Sequence, residues 1–280
     1  MSEMRLAYST YALQSVDPFE AVERVKAIGY EGLELNCGDD WATAPSRFTG
    51  DQRERLKASY QEAGFLPPVM MNLIHLCGHD EDVNDKSARL KATCELARDL
   101  CWLDQPSVVT TTLGKQTGTW EEARETVVEK LRPYADLAAD HNVILAAEAH
   151  VGQEMDTPEK AAWLVEAMDH PNLKLNFDYS HFLMLDIDLQ HSIDLNAKHS
   201  VHTHIKDGRV VDGKVQFALP GDDRLDLVDY LKRLRDSVLD VPITVEVSAQ
   251  MWKREDYEPW ETAAHCYSNL ARARETVLGV

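Results

Sequence analysis

The feature that most constrains the fold is a grammar repeated eight times. A short apolar, β-branched run is followed by a break and then by a stretch with the apolar spacing of an amphipathic helix. The first unit shows it plainly. Arg5-Leu-Ala-Tyr-Ser9 reads as a strand; Asp17 then stands as an N-cap, Pro18 takes the first helical position and Glu20 completes a capping box. Ala21, Val22, Val25 and Ile28 form one helix face, and Gly29 ends it. Further strands are expected at 30–35, 65–74, 107–112, 143–147, 173–177, 200–205 and 242–247. Helices are expected over 51–63, 82–103, 120–139, from Thr157 onward, 185–197, 223–239 and 257–277.

Eight alternations with no break in composition argue for a single α/β domain over residues 1–280. At about 35 residues per unit they fit a (β/α)8 TIM barrel. A doubly wound open sheet is the competitor, but it calls for a Gly-rich phosphate loop after the first strand. This chain has Ser9-Thr-Tyr-Ala-Leu there.

Composition narrows the partners. The formal net charge of −19 disfavours nucleic acid and anionic membrane, both of which need a basic surface. The five cysteines (Cys37, Cys77, Cys94, Cys101, Cys266) form no Cys-x-x-Cys pair, which fits a reducing compartment. Cys94 and Cys101 share a helical stripe with Leu90 and Ala97 and are expected in the core. Met1-Ser-Glu-Met-Arg has no apolar signal region and no segment is long enough to span a bilayer, so a cytoplasmic location is expected.

The chemistry concentrates where strands end. Glu148 closes the apolar run Val143–Ala147, and a carboxylate in that position is costly unless something pairs with it. Asp178 follows the sixth strand with His181 three residues on, His204 lies in the seventh, and Glu246 lies in the eighth. Any one of these is ordinarily a solvated loop-edge acid or a hydrogen-bonded core histidine. Together they sit 30, 26 and 42 residues apart, about one barrel unit each, so four consecutive strands deliver one ligand apiece to the carboxyl end of the barrel. Three carboxylates and one imidazole suit a single divalent ion, Mn²⁺ first, with Mg²⁺, Co²⁺ or Zn²⁺ as alternatives.

The stretches "LAAEAHVG", "NFDYSHF", "HTHIKDGR" and "VEVS", with "AIGYEGLEL" in the second unit, resemble the xylose isomerase-like TIM barrel superfamily. The resemblance is to its sugar phosphate isomerase/epimerase group, within the AP endonuclease family 2-like set. It covers nearly the whole chain. It implies that Glu148, Asp178, His204 and Glu246 bind the metal, and that His181 and Arg209 contact a small carbohydrate. It also implies that Glu148 and Glu246 move a proton on opposite sides of a carbon next to a metal-polarised carbonyl, through an enediolate. Barrels of this superfamily commonly pair, so a homo-oligomer is a possible state.

Smaller expectations attach to neighbouring residues. His75, expected to end the third strand, is either a substrate contact or base or a buried structural histidine; His150 is a group behind the metal ligands or an alternative base. His202 is expected to be packed one layer deeper than His204. Lys206 and Asp207 hold the loop or meet a polar substrate. Trp252, beside Lys253 and Arg254, is expected to stack on a sugar ring or make an oligomer contact, and Trp41 invites the same reading.

Rival activities start from the same metal. A keto-sugar lyase, inosose dehydratase-like or a 3-keto-glycoside eliminase, would share the proton abstraction, and the long segment after the eighth strand, "VEVSAQMWKREDYEPW", hints at a larger substrate. An AP-endonuclease-like nuclease needs a further histidine after the fourth strand, where this chain has Thr110-Thr-Thr-Leu-Gly114. A non-catalytic sugar-binding barrel is disfavoured because all four ligand positions are filled.

Overall fold

The computed structural model describes residues 4–78 and 83–279. Its strands are β1 (Leu6–Ser9), β2 (Gly32–Asn36), β3 (Met70–Met71), β4 (Ser107–Thr112), β5 (Val143–Glu148), β6 (Leu173–Asp178), β7 (Ser200–Ile205), β8 (Asp207–Val211), β9 (Lys214–Ala218) and β10 (Ile243–Val245). β1 to β7 and β10 pair in parallel and close into an eight-stranded barrel in the order β1-β10-β7-β6-β5-β4-β3-β2. Around it run α1 (Pro18–Ile28), α2 (Gly50–Ala63), α3 (Val83–Leu100), α4 (Trp120–Asp140), α5 (Pro158–Met168), α6 (Tyr179–Leu183), α7 (Leu189–Asn196), α8 (Leu227–Arg235), α9 (Ala249–Trp252) and α10 (Pro259–Leu278). The architecture is a (β/α)8 TIM barrel.

Local chemistry sets the boundaries. The Asp17 carboxylate accepts the backbone N–H groups of Phe19 and Glu20, satisfying donors that the first turn of α1 leaves free. α8 turns Leu227, Tyr230, Leu231 and Leu234 inward, while Lys232, Arg233 and Arg235 sit in its last turn, where the helix dipole favours cations. The five cysteines are free, Cys94 buried and Cys101 half-buried just past the end of α3. Among the described residues no helix is long and apolar enough to cross a membrane.

Several expectations need correction. The third strand is only Met70–Met71, not 65–74, because Pro67 and Pro68 have no N–H to offer a ladder. The strand also ends at Met71, so His75 lies in the loop beyond it, with positive φ (54°), and is exposed rather than buried. The described part of the third helix starts at Val83; the expected start at Asp82 lies outside the described residues. The helix expected over 185–197 is α7 alone, and an unexpected short helix, α6, which Asp178 caps and which carries His181, precedes it.

The largest departure is the antiparallel hairpin of β8 and β9 after the seventh barrel strand. Its turn, Asp212-Gly213, places both residues at positive φ (50° and 73°), as a two-residue hairpin turn requires. Gly208 permits the close start of the hairpin: at its φ of 148°, a Cβ would lie 2.3 Å from the Gln216 carbonyl oxygen.

Asp207 anchors this insertion. Fully buried, it accepts the N–H groups of Gly208 (2.7 Å), Asp223 (2.9 Å), Arg224 (3.1 Å) and Leu225 (3.0 Å). Asp207 thus holds the loop, one of the two roles expected for it. Asp207→Ala strands these donors, each orphaned buried donor costing about 1–3 kcal/mol, so we expect a loss of at least about 3 kcal/mol. Urea unfolding followed by circular dichroism measures it; an unchanged midpoint would show that the four bonds contribute nothing.

Candidate metal centre

β5 and β6 end on Glu148 and Asp178, β7 carries His204 one position before its end, and Glu246 directly follows β10. Parallel register sets both Asp178 and Thr244 opposite His204, so the four side chains converge at one mouth of the barrel. One oxygen or nitrogen from each of Glu148, Asp178, His204 and Glu246 lies within 4.8 Å of the others, and all four residues are buried.

His204 is gripped from both sides. Its Nδ1 lies 3.0 Å from Glu148 Oε2 and 3.6 Å from Glu246 Oε2, and the Asn176 side-chain amide reaches both that nitrogen (2.8 Å) and Glu148 Oε2 (2.6 Å). Its Nε2 lies 3.0 and 2.9 Å from the two oxygens of Glu34. A carboxylate on the far nitrogen fixes the ring's orientation; with an ion in the cluster, Nε2 would keep the proton and Nδ1 would offer its lone pair to the ion. Glu34 also lies 2.8 Å from His202 Nε2, which accounts for the packed, buried His202.

Glu34 escaped the reading of the sequence. It sits inside β2, in the stretch Gly-Leu-Glu-Leu-Asn, all buried. The signal that singled out Glu148, a carboxylate in a buried strand, applies equally to it.

Lys206 lies inside the acidic cluster, with its ammonium hydrogen-bonded to Asp178 Oδ2 and Glu246 Oε2 and 5.5 Å above the Phe217 ring of the hairpin. His181 is wholly buried, its Nε2 3.2 Å from Glu148 Oε1 and 3.4 Å from Asp178 Oδ2. Among the described residues neither ring nitrogen has a hydrogen-bond partner. Against it lies the His150 ring (3.9 Å between centroids), whose Nδ1 is 2.7 Å from the Val151 carbonyl, leaving Nε2 as the lone-pair nitrogen. His75 Nδ1 is 2.8 Å from Thr112 Oγ1, and His75 and His150 line the same cavity of about 420 Å³.

Two further residues expected to contact substrate lie outside the four-residue cluster. Arg209 is exposed on the hairpin and engaged by Asp223 rather than by the cluster. Trp252 ends α9 and stands edge-on to Tyr11 (5.5 Å) and Trp41 (5.9 Å), which stack on each other at 5.7 Å. Its buried indole N–H has no hydrogen-bond partner among the described residues.

The electrostatics follow from burial set against crowding. Burial pushes the Glu34 carboxyl up, but His204 and His202 outweigh it and hold it below the carboxylate range. Glu148 is lowered in the same contest by His181 and His204, and Asp178 by Lys206 and His181. Glu246 goes the other way: burial raises it, despite Lys206 and His204. His204 is raised, burial being overcome by Glu34, Glu148 and Glu246; Lys206 is raised as Asp178 and Glu246 outweigh burial. His150 is pushed down to about 3 by burial and His181. Tyr11 is raised to about 12 by burial and by Glu246, whose charge it feels from the cluster's edge.

These residues fit a divalent cation. Glu34, Glu148, Asp178 and Glu246 are buried together with more negative charge than the Lys206 ammonium and a protonated His204 offset. The donors are hard oxygens plus one imidazole, and His181 leaves buried nitrogens unmatched.

Comparison with known proteins agrees with this geometry. The chain is 30% identical over 86 residues to 3-dehydroshikimate dehydratase of Bacillus anthracis, covering 31% of each chain. It is 26% identical over 129 residues to inosose dehydratase of Geobacillus thermodenitrificans (strain NG80-2), covering 41% of this chain and 43% of that one. The matches thus span less than half the length of these curated relatives. Among solved structures, an L-ribulose 3-epimerase superposes with a TM-score of 0.77 at 16% identity, covering 100% of this chain and 96% of the other. A family model described as "Xylose isomerase-like TIM barrel" matches residues 22–268, a span that includes Glu148, Asp178, His204 and Glu246, and the chain belongs to that family.

Proposed function

We propose that the chain is a divalent-metal-dependent enzyme of carbohydrate chemistry, an isomerase or epimerase that removes the proton next to a substrate carbonyl. The observation that carries this reading is the convergence of Glu148, Asp178, His204 and Glu246 within 4.8 Å of one another. These four residues would hold the ion, with Mn²⁺ the first choice for such a donor set. The ion's contribution would be to polarise the carbonyl and offset the negative charge that grows as the proton leaves. Glu148 and Glu246 come from strands on different sides of the mouth, so one carboxylate can take the proton from one face of the carbon and the other return it to the opposite face. His181, held against Glu148 and Asp178, and the Trp252–Trp41–Tyr11 group would orient the sugar.

A second reading is a lyase on the same machinery. The curated relatives are named as dehydratases, and Lys206, an ammonium between Asp178 and Glu246, would stabilise the negative charge on a departing hydroxyl.

Incubating the Mn²⁺-loaded protein in D₂O with free, phosphorylated and 3-keto sugars, followed by NMR, separates the two. Deuterium in a rearranged sugar supports the isomerase or epimerase; deuterium with released water or aglycone supports the lyase. Neither outcome with any sugar, in protein that Mn²⁺ stabilises against heat, would overturn proton abstraction as the reaction.

A further inference from the structure

Beside the acidic cluster lies a cavity of opposite character. It is about 420 Å³, opens among the loops after β3, β4 and β5, and among the described residues the Lys and Arg, Asp and Glu side chains that line it are Lys86 and Lys115. In a chain with 48 Asp and Glu against 29 Lys and Arg, a lining that carries two lysines and no carboxylate among the described residues is a local reversal of charge.

Lys86 is the more telling of the two. It is only 2% exposed, whereas lysines are almost never that buried unless paired. Its ammonium donates to the Gly78 carbonyl at 2.7 Å, and among the described residues it makes no ion pair. One carbonyl leaves two of three donors unmatched on a buried cation. Lys115, exposed, stands at the rim.

The walls are built closely. Gly114, at φ 78°, brings the β4 loop so near the β3 loop that a Cβ would lie 2.7 Å from that of His75. The cavity also meets the reaction centre: His150 lines it, and the His150 ring lies 3.9 Å from that of His181, which in turn is 3.2 Å from Glu148.

We infer that this cavity binds an anionic oxygen group, phosphate or carboxylate, borne by the substrate. The substrate class is then an acidic sugar derivative, one end at the four carboxyl-end ligands and its charged end against Lys86 and Lys115. This inference rests on the reading of the cluster as a carbohydrate site. A charge-assisted hydrogen bond in so buried a place contributes both affinity and orientation, which is how a group remote from the chemistry positions the reacting carbon.

The test needs neither metal nor turnover. Inorganic phosphate and acetate are titrated separately into chelator-treated protein by calorimetry, with wild type, Lys86→Met and Lys115→Glu compared. At least one anion is expected to bind the wild type, and each variant to weaken it by at least about tenfold. Lys115→Glu alters an exposed side chain, so it decides the matter even if Lys86→Met fails to fold. Binding of phosphate alone assigns a phosphorylated substrate; binding of acetate alone assigns a sugar acid. No binding of either anion to the wild type, or equal binding to Lys115→Glu, overturns the inference. Failure here, with deuterium exchange into neutral sugars intact, removes the anion subsite and leaves the proposed reaction standing.

Discussion

Glu246→Gln is expected to abolish solvent-deuterium incorporation into the substrate while the barrel stays folded. Glutamine keeps the volume and can still accept the Lys206 hydrogen bond, but it cannot carry a proton between carbon and solvent. General acid–base groups contribute about 10²–10⁴-fold, so exchange falls by at least that range when Mn²⁺ is supplied at saturating concentration to offset the weakened site. NMR of the substrate in D₂O reads the result. Exchange at the wild-type rate would take Glu246 out of proton transfer and leave it as a ligand only.

Glu34→Gln should weaken metal binding by about 10–100-fold, the usual effect of losing a group that supports a ligand from behind. Glu34 does not belong to the four-residue cluster; it acts through His204, whose Nε2 it faces at 2.9 Å. Its carboxylate makes that imidazole a stronger donor and fixes which nitrogen faces the cluster. The amide retains an acceptor oxygen but loses the charge, so the fold is expected to survive and the affinity to drop. A calorimetric Kd for Mn²⁺ that matches wild type would reduce Glu34 to a packing partner of His202.

Much of this was legible in the sequence, and the reasons differ from element to element. The eight strand–helix units showed because parallel barrel strands are apolar on both faces and their helices are not. Glu148, Asp178 and Glu246 showed because an acid at the end of an apolar run stands out. Glu34 did not, since it lies mid-strand and its partners, His202 and His204, are some 170 residues distant in the chain. The placement of Lys206 was hidden for a similar reason: only the register of β6, β7 and β10 brings its ammonium between Asp178 and Glu246.

The hairpin of β8 and β9 was legible and passed over. Val210-Val-Asp-Gly-Lys-Val215 is a two-residue turn signal between β-formers, but the expectation of one strand and one helix per unit absorbed it into a loop. That loop carries Phe217 to 5.6 Å from the His181 ring and engages Arg209 away from the cluster, so the misreading bore directly on the expected substrate contacts. Prolines 67 and 68 delay the start of the third strand, and the left-handed, exposed His75 lies in the loop beyond its end at Met71.

The most direct measurement is a calorimetric titration of Mn²⁺ into chelator-treated protein, with Asp178→Asn alongside. The four converging strand ends predict saturation at one ion per chain and a sharp loss of affinity in the variant. No saturable binding, or binding undiminished by Asp178→Asn, would contradict a metal centre at these residues.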